Sequence, residues 1–218
     1  MKNKQQGLFV TFEGQDGCGK TTIINEVFKK LTKLYPKKIL ITREPGGTKN
    51  PIGEKIRKII LSKNSDAMTP ITEALLFAAS RAQHINDFIK PNLKKNNIIL
   101  CDRFIHSSLV YQGYVNKIEF KKIFTINQYA LNKIWPNLIF LLLVKPKICL
   151  QRINKRNLQK NRFDLKTINN QQNVYKGYLE IVKKYPKNLI VIDAKKAIEK
   201  NVNLIVKIIL KKIKNYDK

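Results

Sequence analysis

The chain has 218 residues, with 43 Lys and Arg against 15 Asp and Glu, a net charge of +28. Its 43% hydrophobic content can bury a substantial core, which excludes wholesale disorder, and the length suits one domain spanning 1–218. The longest apolar run, Leu138 to Val144, is far too short to cross a bilayer, and polar Lys2 to Gln6 shows no signal-peptide pattern.

In chain order, Leu8 to Glu13 reads as a buried strand followed at once by glycines. From Lys20, apolar residues at Ile23, Ile24, Val27, Phe28, Leu31 and Leu34 keep helical spacing until Tyr35-Pro36. A second strand, Lys38 to Thr42, ends in the loop Arg43-Glu-Pro-Gly-Gly-Thr48. Two helical stretches follow, Ile52–Leu61 and Ile71–Ile89, the second expected to close at Pro91. Asn97 to Asp102 is a third strand, and helical periodicity returns over Phe120–Ile134 before Trp135-Pro136. Leu138 to Val144 is apolar throughout, as a parallel strand covered on both faces should be. A helix from Pro146 leads into a basic stretch, 156–164, then a helix over 165–184, a fifth strand at Leu189–Asp193 and a last helix carrying Ile198, Val202, Ile205 and Ile209. Strands alternating with helices predict an α/β domain with a five-stranded parallel sheet and right-handed crossovers.

A charge of +28 raises nucleic acid as a partner. Composition offers a simpler source: Lys, Ile and Asn, all with A/T-rich codons, make up 88 of the 218 residues, and the lysines spread along the whole chain. No specific nucleic-acid partner is therefore expected. Arginine, by contrast, occurs at only seven positions, 43, 57, 81, 103, 152, 156 and 162. In so lysine-rich a chain these mark places where a planar fork of donors, matched to phosphate or carboxylate, is hard to replace. The cysteines, Cys18, Cys101 and Cys149, lie far apart without metal-ligand spacing, which fits a reducing cytoplasm rather than a disulfide scaffold or zinc site.

Gly14-Gln15-Asp16-Gly17-Cys18-Gly19-Lys20-Thr21 matches G-x-x-x-x-G-K-[ST], with a strand before and a helix after. Glycines let successive backbone N–H groups turn toward phosphate oxygens while the helix presents its positive end. The ammonium of Lys20 reaches the β/γ-phosphates, and the hydroxyl of Thr21 ligates Mg²⁺. Nucleotide binding follows, but GTPases, ATPases and small-molecule kinases all remain open at this point.

Further segments narrow the choice: Phe12 to Thr22, Thr42 to Thr48, Gly53 to Arg57, Leu75 to His84, Asp102-Arg-Phe104, Ser107-Ser108, Tyr111-Gln-Gly113 and Ile192-Asp-Ala194. Together they resemble the bacterial thymidylate (dTMP) kinase family, in its order and spacing. The resemblance implies a P-loop three-layer α/β/α fold with a mobile lid at about 152–166, a cytoplasmic homodimer, and Mg²⁺-dependent transfer of a phosphoryl group from ATP to dTMP.

Roles are implied residue by residue. Phe77 would stack on the thymine ring and Arg81, one turn further along the same helix face, would hydrogen-bond the base. Ser107, Ser108 and Gln112 would line the base, and Tyr111 would crowd the sugar 2′ position. Arg43 and Arg103 would hold the 5′-phosphate, Pro45 would join the substrate-binding residues, and Asp102 would join Thr21 at the metal, although Asp102 and Arg103 could also form a plain ion pair. Asp16 would meet the sugar 3′-hydroxyl or the metal shell. Some family members carry an arginine where this chain has Gly17, so a cation must come from elsewhere; Asn161-Arg-Phe-Asp164 resembles the lid motif, which points to Arg162 and then Arg156. An exposed basic loop is the alternative for that stretch.

The chain departs from the family's pattern at Leu143, at Asn161 and at Tyr114-Val-Asn-Lys117, where small residues and an arginine are usual. Within enzymes the rival reading is a kinase for another nucleoside monophosphate, with Phe77, Arg81 and Tyr111 discriminating. Outside enzymes it is a basic P-loop protein that binds nucleic acid and uses ATP as a switch.

Overall fold

A computed structural model describes residues 7–35, 37–47, 51–65, 67–155 and 168–214. The first half runs β1 (Leu8–Gly14), α1 (Lys20–Leu34), β2 (Ile39–Arg43), α2 (Pro51–Leu61), α3 (Pro70–His84), α4 (Lys90–Lys94) and β3 (Ile98–Asp102). The second runs α5 (Ile105–Ser108), α6 (Phe120–Leu131), β4 (Leu138–Leu143), α7 (Pro146–Asn154), α8 (Ile168–Lys184), β5 (Leu189–Asp193) and α9 (Ile198–Lys214). Among the described residues five strands form one sheet in the order β2-β3-β1-β4-β5, every neighbouring pair parallel.

Alternation along the strands divides the core in two. Val10, Phe12, Leu100, Phe140 and Leu142 face α1 and α9, where Ile23, Val27, Leu31, Ile205 and Ile209 close over them. Phe9, Ile99, Cys101 and Leu141 point the other way, into a layer formed by Ile85, Ile89, Phe104, Leu109, Ile123, Val174 and Tyr178. Both faces of the central strands are therefore dry, which is why β4 is apolar throughout and β1 and β3 are mostly so.

Three expectations about helices need correction. Pro91 does not close the helix begun at Pro70. The rod widens through a π turn at Ile85–Ile89, where the Lys90 N–H bonds Ile85 five residues back, and Pro91 sits in the first turn of α4. In that position a missing N–H costs little. The helix expected to reach Ile134 stops at Leu131, because Asn132 (φ 43°) and Lys133 (φ 64°) turn left-handed and swing the chain toward β4. Finally, residues 105–115, given no element in the sequence reading, are helical, as α5 followed by a π turn over Leu109–Val115. The part of the basic stretch from 156 to 164, the helix start expected at 165 and most of the lid lie outside the described residues.

Candidate active site

Register brings the site together. Phe12 of β1 and Arg43 of β2 both lie opposite Asp102 of β3, so the loops leaving the three strands emerge side by side. The Arg103 N–H bonds Phe12 O and the Glu44 N–H bonds Asp102 O, both at 2.9 Å, which continues the alignment beyond the sheet. This is the carboxyl edge of an open parallel sheet, where such folds place ligands. The phosphate loop cannot be built from larger residues there. Gly14 has φ 139° and a Cβ would lie 2.4 Å from Leu142 O; Gly17 has φ 79° and a Cβ would lie 2.5 Å from Cys149 O. The loop closes on Lys20, whose Nζ donates to Gly14 O at 3.0 Å and to Gln15 O at 2.8 Å.

One cavity gathers fifteen of the residues singled out in the sequence: Asp16, Gly17, Gly19, Lys20 and Thr21 on the loop; Arg43 and Pro45 after β2; Phe77 and Arg81 on α3; Asp102, Arg103, Ser107, Ser108, Tyr111 and Gln112 after β3. Gly14, Gln15 and Cys18 do not line it. The amide of Gln15 instead turns into the interior, donating to Gln171 O at 3.1 Å, and so ties the loop to α8. Arg156 and Arg162 fall outside the described residues. Arg152 belongs to α7 and reaches back to Cys18 O at 3.2 Å, beside a second depression lined by Gly19, Thr22, Ala194 and Lys196. It braces the rear of the phosphate loop.

Within the cavity the charges are paired with care. Arg103 donates to Asp16 at 2.5 Å, Ser107 at 3.0 Å, Tyr178 at 3.2 Å and Tyr111 at 3.3 Å, and the Tyr111 hydroxyl donates to the other Asp16 oxygen at 3.0 Å. Burial would raise the Asp16 pKa, but the charges of Arg103 and Lys20 and these bonds outweigh it and hold the carboxyl at about 2. Arg103 adopts φ 71°, a left-handed conformation unusual for a long side chain. Its four bonds hold it there. Arg57, quoted in the sequence only as part of a segment, also lines the cavity and donates to Pro45 O at 2.7 Å. Partial burial and the nearby Arg43 charge both lower its pKa. Arg43 is paired with Glu54 at 3.0 Å and Arg103 with Asp16, and together with Arg57 they form a cationic wall suited to an anion.

At the far end, Arg81 is buried and oriented by three partners. Its Nε donates to Glu44 at 2.8 Å, one terminal nitrogen to Ser108 at 3.1 Å and the other to Asn127, while the guanidinium lies 5.2 Å from the Phe104 ring centre. Glu44 also meets His84 at 3.2 Å, and His84 meets Thr42 at 2.7 Å. Glu44 and His84 stand in the sequence only inside longer segments, and Asn127 in none, because nothing in periodicity marks a polar residue that serves another side chain.

Glu13 likewise has no role assigned from the sequence, although a carboxylate ending an apolar strand is a visible anomaly. It is fully buried, accepting from the Phe104 N–H at 2.9 Å and Ser107 Oγ at 2.6 Å. Burial pushes its pKa up to about 7 despite the opposing bonds and the Arg103 charge. The folded state therefore holds a proton that the unfolded chain releases near pH 4.5, and stability falls as pH rises from there to about 7. Relative to wild type, Glu13→Gln should gain about 3 kcal/mol across that window and no more above it. Denaturant titrations at pH 4, 5, 6, 7 and 8 measure this; a difference independent of pH contradicts it.

The residues present fit a hard divalent cation such as Mg²⁺. Asp102 Oδ1 is buried without a hydrogen-bond partner, while Asp102 Oδ2 accepts from Thr21 Oγ1 at 3.3 Å. Two oxygen donors with coordination left for phosphate oxygens and water are what such an ion asks of a protein.

A phosphate loop, a cationic wall and a polar-aromatic recess in one cleft of a parallel α/β sheet define a P-loop kinase of the nucleoside monophosphate type. A family model described as Thymidylate kinase matches residues 12–205. The chain is 45% identical over 212 residues to a thymidylate kinase of Mycoplasma capricolum, covering 97% of this chain and 98% of that one. It is 43% identical over 202 residues to a thymidylate kinase of Lactobacillus acidophilus, covering 92% and 93%. The crystal structure of a thymidylate kinase from Ehrlichia chaffeensis superposes with a TM-score of 0.71 at 28% identity, covering 95% of this chain and 98% of that one. The chain belongs to the thymidylate kinase family.

Proposed function

We propose that this protein transfers the γ-phosphoryl group of ATP to the 5′-phosphate of dTMP, giving ADP and dTDP on the way to dTTP. The observation that carries this reading is the continuity of the cavity from Lys20 and Thr21 to Phe77 and Arg81. Donor phosphates, acceptor phosphate and acceptor base then share one cleft, so direct in-line transfer needs no covalent protein intermediate.

Lys20 lies where its ammonium exchanges loop carbonyls for phosphate oxygens. Arg43, Arg57 and Arg103 hold the acceptor phosphate against the repulsion of the donor. Thr21 and Asp102 would hold Mg²⁺, which when bound neutralises charge on the phosphate oxygens. Phe77 and Arg81 bind the base. Tyr111 is pinned by Asp16 and Arg103, and a ring held that firmly excludes a 2′-hydroxyl. Asp16, ionised and already balanced by Arg103, accepts the sugar 3′-hydroxyl. From the sequence alone, Arg162 and then Arg156 supply the lid cation.

The protein acts in the cytoplasm as a homodimer; exposed Ile71 and Leu75 of α3 and Tyr129 of adjacent α6 offer apolar surface for the second copy. Among the described residues no helix is long and apolar enough to cross a membrane.

The test is ADP release from Mg·ATP with dTMP, dUMP, the ribonucleotide TMP, dCMP, AMP or no acceptor. Activity confined mainly to dTMP is expected, with dUMP well behind. Equal activity with dCMP or AMP removes the base assignment, and release without acceptor, raised by DNA, favours a nucleic-acid-linked ATPase instead.

A further inference from the structure

We propose that Glu73 sets the base preference of the cavity by fixing which way the Gln112 side-chain amide faces. This inference rests on the dTMP reading above. Glu73 lies on α3, one turn before Phe77, and is buried to 6% exposure. One of its carboxylate oxygens, Oε1, accepts from Gln112 Nε2 at 2.8 Å and from Asn116 Nδ2 at 3.1 Å. Gln112 is itself only 1% exposed and lines the cavity.

A carboxylate accepts hydrogen bonds and cannot donate them, so the Gln112 edge that meets it must be the NH₂. The amide carbonyl is then the other edge. No described residue hydrogen-bonds that oxygen, and it is not among the buried polar atoms sealed without a partner, which leaves it facing the cavity. The π turn over Leu109–Val115 makes this possible by carrying Tyr111 and Gln112 on one widened loop of helix and closing with Asn116 N–H on Tyr111 O. Asn116 belongs to the segment Tyr114-Val-Asn-Lys117 that departs from the usual family pattern, and here it supplies the second donor that keeps Glu73 in place.

Across the cavity Arg81 offers the opposite polarity. Three of its five N–H groups are engaged, one each by Glu44, Ser108 and Asn127, and the remaining two are donors. The recess thus presents fixed donors from Arg81 and one fixed acceptor from Gln112. An imide edge, carbonyl beside N–H, satisfies both. An amino-pyrimidine edge, NH₂ beside an unprotonated ring nitrogen, sets donor against donor and acceptor against acceptor. Mispaired buried polar groups are what give large discrimination between bases. Glu73 touches no substrate in this scheme; it is a positioning residue that makes Gln112 an acceptor and not a donor.

The experiment compares kcat/KM for dTMP and dCMP in wild type, Glu73→Gln, Gln112→Met and the double variant. With Glu73→Gln the partner can itself donate, so Gln112 is free to turn its NH₂ toward the base. The dTMP:dCMP ratio should then fall by about tenfold or more, mostly through KM. In the Gln112→Met background the same substitution should leave the ratio within about twofold. An unchanged ratio in Glu73→Gln, or a fall that persists without Gln112, overturns the proposal. If wild type itself fails to prefer dTMP, it is the function reading that has failed, and this inference goes with it. Should Glu73→Gln not fold, NMR of the wild-type protein decides: the Gln112 NH₂ signals, assigned by their loss in Gln112→Met, should barely move when dTMP binds. A large shift on dTMP, with the NH₂ taken up by the base, overturns the proposal.

Discussion

Replacing Lys20 by Ala should lower kcat/KM for dTMP by about 10³-fold or more while the protein stays folded. The ammonium sits at the mouth of the loop, buried to 6% exposure, and its two strong bonds go to loop carbonyls that phosphate would displace. It also helps keep Asp16 ionised. Alanine removes the cation from the point where donor charge accumulates, yet leaves the glycine turns of the loop and the helix it opens intact. Steady-state kinetics beside thermal unfolding separate the two effects. A variant with near-normal kcat contradicts the assignment of Lys20; a variant that loses its fold shows the lysine to be structural.

Arg103→Ala should have the second-largest effect, and it should act on both binding and stability. The guanidinium balances Asp16 and ties together Ser107, Tyr111 and Tyr178. Without it KM for dTMP should rise by about a hundredfold and that for ATP far less. The partly buried Asp16 carboxylate loses its strongest partner, at a cost of about 2–3 kcal/mol after allowing for its residual exposure. The pH dependence identifies the cause. A carboxyl held down to about 2 stabilises the fold above its unfolded pKa near 3.8, and that stabilisation fades as pH falls through 2. The stability gap between wild type and variant should therefore narrow as pH drops from 5 toward 2. A gap constant with pH, or equal losses in the two KM values, contradicts this account.

Much of this is legible in the sequence. The central strands are legible as mostly apolar runs because both of their faces are covered, and the loop Gly14–Thr21 is legible because close packing against Leu142 and Cys149 leaves only glycine at positions 14 and 17. The scarcity of arginine was a usable signal as well: Arg43, Arg57, Arg81 and Arg103 all meet in one cavity. What stayed hidden was of two kinds. The π turns at Ile85–Ile89 and Leu109–Val115 match no hydrophobic period of 3.6 or 2, so nothing in the pattern announces them. The supporting polar residues Glu13, Glu44, Glu73 and Asn127 act on partners 37 to 94 positions away in sequence, so only the folded chain shows whom they serve. Gln15 is the converse case, since its place in the loop motif suggested phosphate and its side chain went to α8.

The most direct test follows the label through one turnover. Enzyme in excess over dTMP is mixed with Mg·ATP carrying a labelled γ-phosphate, and the quenched products are separated. The account predicts that label appears in dTDP at the rate ADP forms, with none on the protein and little as free phosphate. Label released mainly as inorganic phosphate, or trapped on a side chain, would contradict direct transfer within the single cavity that joins Lys20 to Arg81.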